Sequence, residues 1–174
     1  MIREAVREDA YRIGEIIVGA WQHAYDGIVD PNFPPRMSKD KFVKLMFENI
    51  EKGKETVFVY DSGEEVMGFI SGKMKRDGGE EEWPRTPHRD NRYDCEVVGL
   101  YVKPGSQGLG IGGKLLESMK DHFRRHGCRR MIVWTLLGAW NNSFYLNHGG
   151  TAMERKKIEI GGEEYAGVGF SFEL

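Results

Sequence analysis

EVVGLYVKPGSQGLGIGGKLLESM, residues 96–119, is the stretch that decides how this chain is read. Glu96 to Val102 has the β-branched and aromatic content of a strand, and Ile111, Leu115, Leu116, Met119 and Phe123 stripe one face of a helix that Gly127 ends. Between them stand Gly108, Gly110, Gly112 and Gly113, four glycines in six residues at a helix start. Glycine there weakens the helix, and the sequence offers no packing return for it. A residue without Cβ does let a ligand approach the backbone, and the free N–H groups and dipole of a helix N-terminus favour phosphate oxygens. Phosphate binding is therefore the expected chemistry of this loop.

Three phosphate-binding patterns compete for these letters. Gly108-x-Gly110-x-x-Gly113 is literally a dinucleotide fingerprint, but KPGSQ separates it from its strand, and the next strand, 131–137, ends without a ribose-binding carboxylate. Gly108 to Lys114 approximates a P-loop, yet Leu115 stands where a hydroxyl must hold magnesium, so nucleotide hydrolysis is rejected. Gln107-Gly-Leu-Gly-Ile-Gly112, behind the strand EVVGLYV, resembles the acyl-CoA motif Q/R-x-x-G-x-G/A of the GNAT superfamily of N-acyltransferases. The resemblance extends along nearly the whole chain. AWQHAYDGIV (20–29) is similar to the first-helix segment of bacterial members, and FYLNHGGTAMERKKIEIGGEEY (144–165) to their FYE-x-x-GG ending and final hairpin.

Outward from this centre, strand and helix signals alternate without repeats or low-complexity segments. Ile2 to Val6 reads as a short strand, and Asp9 as the N-cap of a helix with Ile13, Ile16, Ile17, Ala20, Trp21 and Ala24 on its apolar face, running to Asp30-Pro31. Ser38 caps a second helix carrying Phe42, Leu45, Met46 and Ile50, closed by Gly53. TVFVY (56–60) and VMGFISGKM (66–74) form a hairpin, and 75–94, with two prolines and no period, is a long connection. MIVWTLL (131–137) is apolar on both alternations, as in a central strand with parallel pairing. A short helix at 142–147 precedes a hairpin of 155–160 and 163–174. The expected fold is mixed α/β in the order β-α-α-β-β-β-α-β-α-β-β, a single domain over 1–174 with a GNAT-like central mixed sheet.

Composition fits that reading: 40% hydrophobic and 30% charged residues are near the globular average. The longest uncharged apolar run, 131–140, is far short of the roughly 20 residues of a membrane helix. MIREAVREDA lacks the apolar stretch of a signal peptide, so a cytoplasmic protein without membrane contact is expected. Cys95 and Cys128 form no CxxC and are read as buried small apolar residues; His122 and His126, one turn apart without a third ligand, are read as solvent-facing, and no metal is expected. Net charge is −2, which argues against a nucleic-acid partner, but Lys103 to Arg130 holds seven cations against two anions. Such a stretch is either a solvated helix face or an anion site.

The resemblance implies acetyl-CoA as co-substrate, with pantetheine lying as a pseudo-strand along Leu100, Tyr101 and Val102 and pyrophosphate against Gln107, Gly108, Leu109, Gly110, Ile111, Gly112 and Gly113. The basic stretch then gains a reason, because Lys103, Lys114 or Arg130 can meet the CoA phosphates. The family's asparagine before the motif tyrosine is replaced by Gly138 and Ala139, and Asn141 is its nearest substitute. Acyl transfer needs a neutral amine, and deprotonating a lysine-like amine at neutral pH costs about 4 to 5 kcal/mol. Glu96 resembles the family's base, with a strand-end carboxylate in solvent or in a salt bridge as the alternative; Tyr145 resembles its general acid, with an aromatic core residue as the alternative. The Leu100 N–H is the implied oxyanion donor. Trp21 and Tyr25, one helical turn apart, are placed either at the acceptor pocket or in the core.

These features imply an acetyl-CoA-dependent N-acetyltransferase using direct ternary-complex attack on a small-molecule or peptide amine, compatible with a homodimer. The alternative is a non-catalytic acyl-CoA-binding sensor or partner module. The six acidic residues of 77–94 against three arginines point to cationic acceptors.

Overall fold

The computed structural model describes residues 1–33, 37–74 and 92–174. The elements are β1 (Ile2–Glu4), α1 (Asp9–Ala24), α2 (Lys39–Lys52), β2 (Thr56–Asp61), β3 (Val66–Met74), β4 (Cys95–Val102), α3 (Ile111–Arg125), β5 (Arg130–Leu136), α4 (Asn142–Asn147), β6 (Thr151–Ile160) and β7 (Glu163–Glu173). This is the expected mixed α/β order. The strands form one sheet in the order β1-β2-β3-β4-β5-β7-β6, antiparallel throughout except between β4 and β5.

Each face of the sheet has its own core. Ile13, Ile16 and Ile17 of α1 and Met46 of α2 pack with Val57, Val59 and Phe69 on one face. Leu115, Leu116, Met119 and Phe123 of α3 pack with Ile70, Val97, Met131, Val133, Phe170 and Phe172 on the other. Burial of these side chains removes apolar surface from water at ~25 cal/mol per Å2, which is what fixes the helices to the sheet. Cys95 and Cys128 are buried free thiols, as their composition led one to expect.

Several boundaries differ from the sequence reading for local reasons. Asp9 is the first helical residue of α1, and its carboxylate accepts the Val6 N–H (2.8 Å) and pairs with Arg3 (2.7 Å). α1 stops at Ala24, six residues before Asp30: Gly27 has φ +73°, and the Ile28 and Val29 N–H groups turn back to the Tyr25 carbonyl. Ser38 does cap α2, accepting from the Lys41 N–H, and Gly53 ends it in the left-handed conformation. β6 begins at Thr151, ahead of the expected 155, because a register shift at Ala152/Glu154 keeps it paired to β7. Of the long connection, 75–91 lies outside the described residues; Asp94, at its end, accepts the backbone N–H groups of Arg129 and Arg130 at 2.8 and 2.9 Å.

Candidate active site

The site begins with a parting of strands. β4 pairs with β5 only over Cys95–Val97 against Met131–Val133; beyond this the two diverge while β4 stays paired with β3 through Val102. At the point of divergence Val98 is an extra residue, since Ser71 faces Gly99 and Gly72 faces Val97. A bulge of this kind reverses the alternation of side chains. Thus Cys95 and Val97 below it and Leu100 and Val102 above it all face α3, whereas Glu96 and Tyr101 face the opposite side.

The cleft so opened is lined by Tyr25, Val97 to Tyr101, Val133, Trp134, Thr135, Asn141 and Tyr145. Its β4 wall has backbone groups to offer. The Lys103 N–H bonds the Met67 carbonyl at 2.8 Å, so by antiparallel alternation Tyr101 points its main-chain groups to β3, while those of Leu100 and Val102 point into the cleft. On the β5 side, the Asn141 side-chain carbonyl is buried without a hydrogen-bond partner, and the Thr135 hydroxyl, 4% exposed, has no well-formed hydrogen bond, its polar neighbour being the Tyr25 phenol. Buried polar groups are rarely left unpaired, so these two mark where a ligand's donors or acceptors fit. Asn141, at the start of α4, is brought to the cleft as expected; Thr135 was not foreseen, since a threonine inside an apolar strand looks like any β-former.

Tyr145 is held by α4, stacked on Phe170 at 5.3 Å and edge-on to Phe144, with burial pushing its phenol above the usual tyrosine range. The Tyr25 and Tyr101 phenols are pushed up by the same cause, and the Trp21 indole N–H donates to the Tyr101 hydroxyl at 3.2 Å. Trp21 is itself stacked edge-on with Tyr25 (4.6 Å) and Phe33 (5.9 Å). Tyr25 therefore reaches the cleft wall, while Trp21 stands behind it as its support.

Glu96 is not part of the cleft lining. It lies just below the point of divergence, 9% exposed and in register with Lys73 across the β3–β4 pair. Burial raises its pKa, opposed by the positive charge of Lys73 and Lys156 and reinforced by Glu55.

The glycine loop follows β4 directly. Gly105, Gly108 and Gly110 have φ near +80°, a Cβ on any of them would meet nothing within 4 Å, and Gly110 is the N-cap of α3. Gln107 braces the turn, accepting from the Gly105 N–H and donating to the Val102 carbonyl at 3.3 Å; Leu109 is exposed and Ile111 enters the core. One expectation is corrected here. Gly112 and Gly113 do have a packing reason: a Cβ would lie 3.3 Å from the Phe144 ring and 2.7 Å from His148, so their smallness seats α4 on α3.

The basic stretch is also dispersed. Arg130 opens β5 at the end of the sheet remote from the loop, ~20 Å away along β4, and Lys103 is paired with Glu65 at 2.6 Å. Lys120 is buried against the His148 carbonyl, which leaves Lys114 as the exposed cation in the first turn of α3. His122 is half-buried rather than solvent-facing, 3.1 Å from the Thr56 hydroxyl and edge-on to Phe58.

Comparison with known proteins agrees with this geometry. The family model described as "Acetyltransferase (GNAT) family" matches residues 21–149. The uncharacterized N-acetyltransferase YuaI of Bacillus subtilis (strain 168) is 26% identical over 173 residues, covering 98% of this chain and 91% of YuaI. Among solved structures, the PaiA N-acetyltransferase of Thermoplasma acidophilum in complex with coenzyme A superposes with a TM-score of 0.72 at 17% identity, over 100% of this chain and 98% of that one. YncA, a putative acetyltransferase from Salmonella typhimurium with acetyl-CoA, gives 0.69 at 22% identity, over 100% and 93%. With a splayed β4–β5 pair, a glycine loop capping α3 and a family match across both, the chain belongs to the GNAT acetyltransferase family.

Proposed function

We propose that this protein transfers the acetyl group of acetyl-CoA to a primary amine within a ternary complex, acting as one domain over 1–174. The observation that carries this reading is the cleft between β4 and β5, lined by the Leu100 main chain, Thr135 and the unpaired Asn141 side-chain oxygen, on the strand that leads into the glycine loop. In this reading Leu100, Tyr101 and Val102 border the pantetheine arm, and Gln107, Gly108, Leu109, Gly110, Ile111, Gly112 and Gly113 form the turn whose N–H groups meet the pyrophosphate, with Lys114 as the nearby cation.

Glu96 takes the acceptor's proton. It lies behind the cleft wall, so the proton reaches it through water, and its raised pKa brings it closer to the operating pH of a base. The amine nitrogen bonds to the thioester carbon, and the charge that develops on the thioester oxygen is met by the Leu100 N–H. As the carbon–sulfur bond breaks, Tyr145 donates its phenolic proton to the departing thiolate. Burial keeps that proton in place at neutral pH, so the acid is in its reactive form before each turnover. Neither cysteine serves as a nucleophile, since Cys95 and Cys128 are buried with thiols pushed above their usual range, first by burial.

The test is release of CoA from acetyl-CoA with a panel of small amines and peptides, alongside calorimetry with acetyl-CoA, NADH and ATP. Amine-dependent CoA release with acetyl-CoA binding far tighter than the other two is expected. Binding without turnover for any amine would make the protein a non-catalytic acyl-CoA-binding module, and NADH binding as tight as acetyl-CoA would return the dinucleotide reading.

A further inference from the structure

On the sheet face that carries Glu96, the middle of β7 presents small residues. Val168, Phe170 and Phe172 point into the α3 core, which leaves Gly167, Gly169 and Ser171 on the other side. A Cβ at Gly169 would lie 3.0 Å from both Trp134 and Ile132. The glycines thus form a trough across which the Trp134 ring lies flat toward β6, and Trp134 is also part of the cleft lining.

Lys156 of β6, in register with Gly167, closes this trough: its Nζ stands 3.9 Å from the centroid of the Trp134 ring. The side chain is half-buried, and burial lowers its pKa against the opposing pull of Glu96. Among the described residues the Lys156 ammonium makes no hydrogen bond and no ion pair; the Trp134 ring is its direct contact, and Glu96 attracts it through space. The carboxylates around it are shared with other cations. Glu154, two residues along the same face, is paired with Arg92 at 2.7 Å, and Glu96 is in register with Lys73. The connection after α1 bounds the far end of the trough, with Phe33 against Gly161 and the Asp30 N–H donating to the Tyr165 hydroxyl at 3.2 Å.

A half-buried ammonium that makes no direct ion pair, on the face of the proposed base and attracted to Glu96 only through space, is a position for a substrate's negative charge, with Glu96 beside it for the substrate's amine. We infer that Lys156 is the anion-binding group of the acceptor pocket, and that the acceptor is a primary amine carrying a carboxylate, bound with its amine toward Glu96 and its carboxylate on Lys156. This deepens the acetyltransferase reading and rests on it. It opposes the preference for cationic acceptors expected from the charge of 77–94, because a polycation would meet Lys156 as a like charge.

The experiment compares ω-amino acids of two to five carbons with their amides and with the diamines of equal length, reading kcat/KM for the acceptor in the parent, Lys156→Gln and Lys156→Glu. The parent is expected to favour the amino acid over its amide at least 10-fold and over the diamine by more. Lys156→Gln should shrink the amino-acid-to-amide ratio to below 2-fold, and Lys156→Glu should invert the order in favour of the diamine. The acetyl-CoA Kd should stay within 2-fold in both variants, which also reports that they fold. A parent that prefers diamines, or a Lys156→Gln variant that loses activity equally on all three classes, overturns this inference and leaves acetyl transfer standing. Acetyl-CoA binding with no turnover of any amine overturns the transferase reading and this inference together.

Discussion

Thr135→Val separates the needs of the free protein from those of its ligand. The substitution nearly preserves shape and removes one hydroxyl that is buried, lines the cleft and has no well-formed hydrogen bond, with the Tyr25 phenol as its polar neighbour. Leaving a buried polar group unsatisfied costs about 1 to 3 kcal/mol, so replacing it by a methyl should stabilise the ligand-free protein by about 1 kcal/mol or more. For a chain of this size that corresponds to a rise in Tm of roughly 2 to 4 °C per kcal/mol. If the hydroxyl instead finds its partner in bound acetyl-CoA, the same change should weaken acetyl-CoA by about 1 kcal/mol, or roughly fivefold in Kd. Stability and affinity should therefore move in opposite directions. Chemical denaturation of the free protein and calorimetry with acetyl-CoA measure the two quantities. A variant less stable than the parent would show that the hydroxyl is already satisfied without ligand, with the neighbouring Tyr25 phenol as its partner, and would refute the reasoning. Raised stability with unchanged affinity would assign the cleft's polar gap to the acceptor.

Tyr145→Phe should lower kcat by about 10- to 1,000-fold with little change in acetyl-CoA Kd, as removal of a general acid predicts, and parental kcat would dismiss that role. Glu96→Gln should be most defective at low pH, where the acceptor is protonated, converging with the parent toward the amine's own pKa; a pH-independent defect would indicate positioning. The same variant has a stability signature. Because the folded state raises the Glu96 pKa, the native protein holds a proton that the unfolded chain releases, so stability declines as pH rises from the ordinary glutamate value of 4.5 through the higher native one. Glu96→Gln should remove that decline, as read by denaturant midpoints across pH. Gly110→Ala should cost about 1 to 2 kcal/mol of stability, since φ is +74° there, and should weaken acetyl-CoA by more than that strain accounts for; a stability loss with parental affinity would place the phosphates elsewhere.

The order of elements and the chemistry of residues 96–119 were legible in the sequence because both rest on local signals. Hydrophobic period separates strand from helix, and four glycines before an apolar stripe announce a helix N-terminus open to a ligand. Tyr145, Asn141 and Tyr25 could be nominated as cleft residues for the same reason, each sitting at a recognisable offset within its own segment. What pairwise approach across the sheet decides was not legible. The extra residue at Val98 is invisible in an unbroken run of β-formers, yet it sends Glu96 behind the cleft wall while turning Leu100 and Val102 toward α3. Charge clustering in sequence left open a solvated helix face or one anion site, but a strand and a helix carry the two ends of the stretch ~20 Å apart, so Arg130 and the glycine loop fall at opposite ends of the sheet. Gly112 and Gly113 showed no packing reason until α4 was placed on them, and Lys156 looked like one more surface lysine until β7's glycines let Trp134 reach beneath it. Sequence carries the period of each element and the chemistry of each side chain; which of those chemistries face one another depends on register and topology, and only the folded chain supplies these.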